Sequence, residues 1–196
     1  MPDSADMGLT TRVLGLDLSL TATGVAHVDG TTEVLSAPDR KRAKGEHRTF
    51  DDDMGRLSWL VGQVTAMLYT ESPDLVVMED YAFSRGDAHS HALGELGGVV
   101  RLLLWRRNQP IALVGPSILK KFLTGKGNAG KDDMVATAAR LGCLANNNNA
   151  VDAWALRVMG LYAFGQTACI APTAYRDEAV AKVAWPKGAI ARLVAS

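Results

Sequence analysis

Three short apolar runs in this chain lead to or enclose a carboxylate: Val13-Leu14-Gly15-Leu16-Asp17, Leu75-Val76-Val77-Met78-Glu79 and Ala150-Val151-Asp152-Ala153-Trp154. An ionised carboxylate among apolar side chains is costly unless it is paired or bound to a metal. The three runs therefore favour a fold that gathers the acids around a cation. The first two read as strands, in which side chains alternate, so Val13, Gly15 and Asp17 share one face, as do Leu75, Val77 and Glu79. Each acid then stands at a strand's carboxyl end, where open α/β sheets place their sites. Asp152 lies in an almost wholly apolar helix, and Asn149, three residues earlier, points to nearly the same side. Asp17, Glu79 and Asp152 offer hard oxygen ligands and Asn149 can add a carbonyl oxygen, a set that suits magnesium or manganese rather than zinc. Each acid also has a purely structural use. Asp17 can cap a turn at Ser19 to Thr23, Glu79 can pair with an arginine, and Asp152 can favour a helix dipole.

The remaining pattern gives a mixed α/β domain. Residues 12–18 read as a central strand, and residues 23–28 and 31–36 flank Asp29-Gly30, a two-residue hairpin signal, so the chain opens with an antiparallel meander. Met54, Leu57, Leu60, Val61, Val64, Met67 and Leu68 recur at helical spacing within residues 50–70. A strand at 75–79 follows, then a helix at 88–106 with Gly94, Gly97 and Gly98, and a strand at 111–114. Gly115-Pro116-Ser117 opens a helix carrying Lys120 and Lys121, and the glycine-rich stretch from Thr124 to Gly130 reads as a flexible loop. Helices are expected at 131–141 and 148–165, and a short one at 175–183. These boundaries imply an arm at 1–11, one domain at 12–165, and a tail at 166–196 that wraps the domain or is partly disordered.

At 196 residues and 47% hydrophobic content the chain is large enough for one substantial core. No apolar run of membrane-spanning length occurs, and residues 1–12 lack the basic start and apolar stretch of a signal peptide, so a cytoplasmic protein with no membrane partner is expected. Cys143 and Cys169 have no zinc-like spacing. The formal net charge is zero, which taken alone argues against a nucleic-acid partner. The distribution argues otherwise. Residues 96–131 contain no Asp or Glu but hold Arg101, Arg106, Arg107, Lys120, Lys121, Lys126 and Lys131. A second cluster, Arg40-Lys41-Arg42 with Lys44 and Arg48, precedes Asp51-Asp52-Asp53. Such runs are either solvated faces or contacts for a phosphate backbone.

Five stretches, in order, carry a resemblance. They are residues 14–24 (Leu-Gly-Leu-Asp-Leu-Ser-Leu-Thr-Ala-Thr-Gly), 78–83 (Met-Glu-Asp-Tyr-Ala-Phe), 93–98 (Leu-Gly-Glu-Leu-Gly-Gly), Lys120-Lys121-Phe122 with residues 125–131, and 149–156 (Asn-Ala-Val-Asp-Ala-Trp-Ala-Leu). Together they resemble the motifs of RuvC-type Holliday junction resolvases, particularly their bacteriophage branch. The resemblance implies a ribonuclease H-like fold with a mixed five-stranded sheet and helices on both faces. It also implies a homodimer and metal-dependent nicking of two strands at a four-way DNA junction. By position it makes Asp17, Glu79 and Asp152 metal ligands, and it puts Asn149 where the family commonly has a fourth carboxylate. Lys121 and Lys131 fall near basic residues that meet the scissile strand, with Lys131 in a catalytic role, and Tyr81 or Phe83 falls near an aromatic that stacks into the opened junction. Arg85, Lys120 and Lys126 complete the expected DNA contacts.

The chemistry agrees with the residues: two cations roughly 4 Å apart activate a water and stabilise the leaving oxygen in phosphodiester hydrolysis. The first motif also resembles the phosphate loop of actin-like ATPases, which need two such domains. A junction-binding protein in which Asn149 has weakened cleavage is a further alternative.

Overall fold

The computed structural model describes residues 11–19, 21–39, 43, 45–80, 88–167 and 170–186, with side chains of the helix at 88–106 described from residue 94 onward. The expected arm, most of the second basic cluster, and Tyr81, Phe83, Arg85, Leu93 and Cys169 lie outside the described residues or side chains.

The chain opens with β1 (Val13–Asp17), β2 (Thr23–Ala26) and β3 (Thr32–Leu35), followed by α1 (Phe50–Thr70), β4 (Leu75–Glu79), α2 (Ala88–Arg106) and β5 (Ile111–Val114). It continues through α3 (Pro116–Thr124), α4 (Lys131–Arg140), α5 (Asn148–Ala163) and α6 (Ala174–Val180). The five strands form one sheet in the order β3-β2-β1-β4-β5. Strands β1, β2 and β3 pair antiparallel, while β4 runs parallel to both β1 and β5. The meander therefore ends against a parallel half, and β1 and β4 lie side by side with Leu16 opposite Met78. Asp17 and Glu79, each one residue further on, leave the same sheet edge together.

β1 and β4 are apolar throughout instead of alternating with polar residues because both faces of the sheet are covered. On one face Val13, Leu75, Val77, Ala112 and Val114 pack with α3, α4 and α5. On the other, Leu14, Leu16, Val25, Val76 and Met78 pack with Leu57, Leu60 and Val64 of α1 and Leu96, Val100 and Leu104 of α2. The glycine of β1 lets α5 lie directly on the sheet: a Cβ on Gly15 would meet the Ala153 carbonyl oxygen at 2.1 Å. Gly160 does the same from the helix side, where a Cβ would meet Val13 and Val77 methyl groups at 2.8 Å.

Local signals explain the boundaries. In the β2–β3 turn Gly30 adopts φ of +95° and Asp29 Oδ1 accepts from the Thr31 backbone at 2.8 Å. The strands are shorter than expected because the turn spans His27 to Thr31, with the His27 N–H donating to the Thr31 carbonyl and the Gly30 N–H to the His27 carbonyl, each at 2.9 Å, and Glu71 braces it from α1's end. His27 Nδ1 lies 2.6 Å from Glu71 Oε1, and the Val28 N–H donates to Glu71 Oε2 at 2.9 Å. A capping box joining Thr49 and Asp52 starts α1. The glycine-rich stretch, expected as a flexible loop, is tied down. Gly125 caps α3 at φ of +84°, and Thr124 Oγ1 donates to the Lys120 carbonyl at 2.8 Å and accepts from the Lys126 N–H at 3.1 Å.

The outer helices divide between core and surface. Leu96 and Val100 of α2 are fully buried against this chain's own sheet. The outward side of α2 instead shows Val99, Leu102 and Trp105, together with Gly94 and Gly98, whose surroundings are open. Helix α6 packs back on α3, with Ala179, Val180 and Val183 joining the core that holds Leu119, Phe122 and Leu123.

Candidate metal centre

Three elements meet where β1 and β4 end. Asp17 is the last residue of β1, Glu79 is the last of β4, and Asp152 lies on α5 where that helix crosses both strands. Their ligand-bearing oxygens all lie within 4.8 Å of one another. The structural uses of these acids are filled by other groups. The turn after β1 is held by its own hydroxyls, since Thr23 Oγ1 donates to the Ser19 carbonyl at 2.8 Å and the Ser19 N–H donates to Thr23 Oγ1 at 3.2 Å. The neighbouring Asp80, rather than Glu79, meets an arginine, with Arg101 donating at 2.8 Å. Asp152 lies beyond the first turn of α5, whose N-cap is the Asn147 side chain.

Crowding three carboxyl groups in a half-buried place shifts their protonation. Burial, then the charges of Glu79 and Asp152, push Asp17 up to about 8. Burial, then Asp152, push Glu79 up to about 7, and burial pushes Asp152 up to about 6. The cluster therefore lacks enough positive charge of its own. A divalent cation held there would supply it, and three convergent carboxylates match the hard-oxygen preference of magnesium and manganese.

Lys120 and Lys131 face the same cluster. With Glu79, Asp152, Pro116, Met134, Val135, Asn148 and Val151 they line an open cleft of about 170 Å³. Both lysines oppose the upward shift of Asp152, and Lys120 does so for Glu79. Lys121, expected to meet the scissile strand, turns the other way: its Nζ lies 2.7 Å from Glu178 Oε1 on α6. Consecutive helical residues diverge by about 100°, so Lys120 and Lys121 cannot serve the same cleft equally. Lys126 is exposed on the loop between α3 and α4.

Asn149 stands beside the cluster with its amide engaged. Its Nδ2 donates to the Ala22 carbonyl, and its backbone N–H donates to Asn147 Oδ1 at 2.9 Å. The side chain thus ties the start of α5 to the β1–β2 turn. Its close approach is set by Gly24, where a Cβ would meet the Asn149 carbonyl oxygen at 2.0 Å.

Sequence reasoning missed the apolar floor of the cleft, Met134, Val135 and Val151, which follows ordinary core spacing and carries no distinguishing signal. It also missed Asn148, whose only signal is membership of an asparagine run at a helix start.

An acid cluster at the adjoining ends of two parallel strands, completed by a helix across them on an antiparallel-led five-stranded sheet, defines a ribonuclease H-like domain with a candidate metal-ion centre. The family described as crossover junction endodeoxyribonuclease RuvC matches residues 13–159, and the chain belongs to that family. Crossover junction endodeoxyribonuclease RuvC of a Nocardioides species is 34% identical over 176 residues, spanning 85% of this chain and 97% of that protein. Its counterpart from Thermomicrobium roseum is 29% identical over 150 residues, spanning 75% and 90%. Among solved structures, Thermus thermophilus RuvC in complex with Holliday junction substrate superposes with a TM-score of 0.56 at 23% identity, covering 79% of this chain and 96% of that one. This last likeness concerns the fold.

Proposed function

We propose that this protein hydrolyses phosphodiester bonds at four-way DNA junctions, as a structure-specific endonuclease that works in pairs. The observation that carries this reading is the convergence of Asp17, Glu79 and Asp152 on a cleft that Lys120 and Lys131 also line. Paired magnesium or manganese ions held there supply water activation and stabilisation of the leaving oxygen. Asp17, Glu79 and Asp152 hold them, and Asn149 contributes through its amide oxygen while its nitrogen keeps the β1–β2 turn in place. Lys120 and Lys131 position the scissile phosphate from the basic wall. Tyr81 or Phe83 stacks on a base at the crossover, and Arg85 and Lys126 contact the backbone, roles that rest on the family resemblance.

Two nicks on symmetry-related strands need two such centres, so we assign a homodimer. The outward stripe of Val99, Leu102 and Trp105 on α2 supports that assignment. The nuclease unit is assigned to residues 12–165, with 1–11 an arm and 166–196 a tail from which α6 packs back on α3. Action on DNA in the cytoplasm belongs to this reading; among the described residues no helix is long and apolar enough to cross a membrane. Placement in the bacteriophage branch rests on the motifs; the similar proteins named above are bacterial. The actin-like ATPase alternative has lost its support, because the family match runs through all three acids rather than the first motif alone.

The deciding experiment places a labelled four-way junction in magnesium or manganese, beside a gel shift in calcium. Paired symmetric nicks are expected. Binding without nicks identifies the weak-cleavage junction binder, and absence of both rejects the reading.

A further inference from the structure

Helix α6 lies beyond the residues that match the family and brings a carboxylate to the basic wall. Glu178 Oε1 lies 2.7 Å from Lys121 Nζ and 3.3 Å from Lys182 Nζ. The carboxylate is exposed, while α6 itself is anchored from its other side. Ala179 and Val180 are buried, Tyr162 OH donates to Asp177, and the Tyr175 ring lies 3.8 Å from where a Cβ of Gly125 would stand. Glu178 is thus presented by a fixed element to Lys121 on α3, with Lys182 beside it. Lys121 follows Lys120 on α3, so the seam borders the same helix whose other side lines the cleft.

We propose that the Lys121–Glu178–Lys182 seam between α3 and α6 is an accessory DNA-backbone site, in which Glu178 stands in for a phosphate and exchanges with one when DNA binds. Exposed ion pairs contribute little to stability, so the exchange meets little resistance from the fold. Glu178 limits the gain from the contact: Lys121 displaces the phosphate's counterion into solvent, but the freed carboxylate takes one up. Lys121 therefore adds almost nothing to the salt dependence of the natural chain, and the electrostatic grip on DNA stays concentrated at the metal cleft. This inference rests on the DNA-binding reading given above.

The test measures four-way-junction affinity in calcium between 50 and 200 mM salt for the natural chain, Glu178→Gln, Lys121→Ala and the double variant, with the melting temperature of each. Glu178→Gln is expected to bind more tightly, with a log-log salt slope steeper by about one, which is about a threefold larger loss of affinity across that range. Lys121→Ala alone is expected to leave the slope unchanged and, in the double variant, to abolish the gain. A gain that persists in the double variant and also after Lys182→Ala is added marks a general charge effect and overturns the proposal. Unchanged affinity and slope in Glu178→Gln overturn it as well, as does weaker binding with a lowered melting temperature, which identifies a structural brace. Absence of junction binding by the natural chain instead rejects the functional reading on which the seam depends.

Discussion

Replacing Gly15 by alanine tests the link between packing and the metal centre. A Cβ there would stand 2.1 Å from the Ala153 carbonyl oxygen, 2.9 Å from the Arg157 nitrogen and 3.1 Å from Arg157 Cβ. Two of these atoms belong to the α5 backbone, which has no rotamer to change. Reaching ordinary contact at 3.4 Å requires β1 and α5 to part by about 1 Å. Overpacking of this kind costs about 1–3 kcal/mol, which lowers the melting temperature of a chain this size by roughly 2–12 °C. The chemical consequence is larger. Asp152 is the residue before Ala153 and moves with it, while Asp17 stays on β1. A displacement of about 1 Å in a catalytic constellation costs on the order of 100-fold in rate. Gly15→Ala is therefore expected to lose most junction cleavage and most of its thermal stabilisation by magnesium or manganese. Gly62→Ala is the control, because Gly62 lies within α1 with open space around its Cα. It is expected to gain about 0.5–1 kcal/mol and keep full cleavage. Cleavage and melting temperature at the natural level in Gly15→Ala would refute the claim that this contact sets the position of Asp152.

Four further outcomes are expected. Asp17→Asn, Glu79→Gln and Asp152→Asn each abolish cleavage and leave junction binding in calcium largely intact; full cleavage by any one removes that residue from the mechanism. In chelator, stability falls as pH rises from about 4 to about 8. The unfolded carboxyl of Asp17 gives up its proton near 3.8, whereas the folded one keeps it to about 8. The penalty is absent below this window, complete above it and of the order of a few kcal/mol. Asp17→Asn should flatten the profile in thermal melts, and an unchanged profile refutes the assignment. Lys120→Ala should reduce the log-log salt slope of junction binding by about one and slow cleavage, whereas an unchanged slope places Lys120 away from the backbone. Leu102→Glu or Trp105→Glu on the outward side of α2 should shift sedimentation toward the monomer mass, and a monomeric natural chain with junction bound removes the paired-nick scheme.

Much of the fold follows from local chemistry visible in the sequence. The short apolar runs ending at Asp17 and Glu79 read as strands, Asp29-Gly30 as a hairpin turn, and Thr49 with Asp52 as a capping box that starts a helix. The three acids were legible for the same reason, since a carboxylate at the end of an apolar run needs a partner and no local one is offered. What the sequence left undecided is direction. Lys120 and Lys121 are adjacent and chemically identical, and only the packing of Leu119, Phe122 and Leu123 beneath α3 turns one toward the acids and the other toward Glu178. Leu96 and Val100 have the spacing of an interface or a core, and the sheet behind them makes them core. Asn149 offers an oxygen and an N–H alike, and the Ala22 carbonyl, 127 residues earlier, takes the N–H. Residue type and spacing fix which groups a chain possesses and which side of an element each occupies. Which neighbour each side meets depends on contacts between residues distant in sequence, and these exist only once the chain has folded.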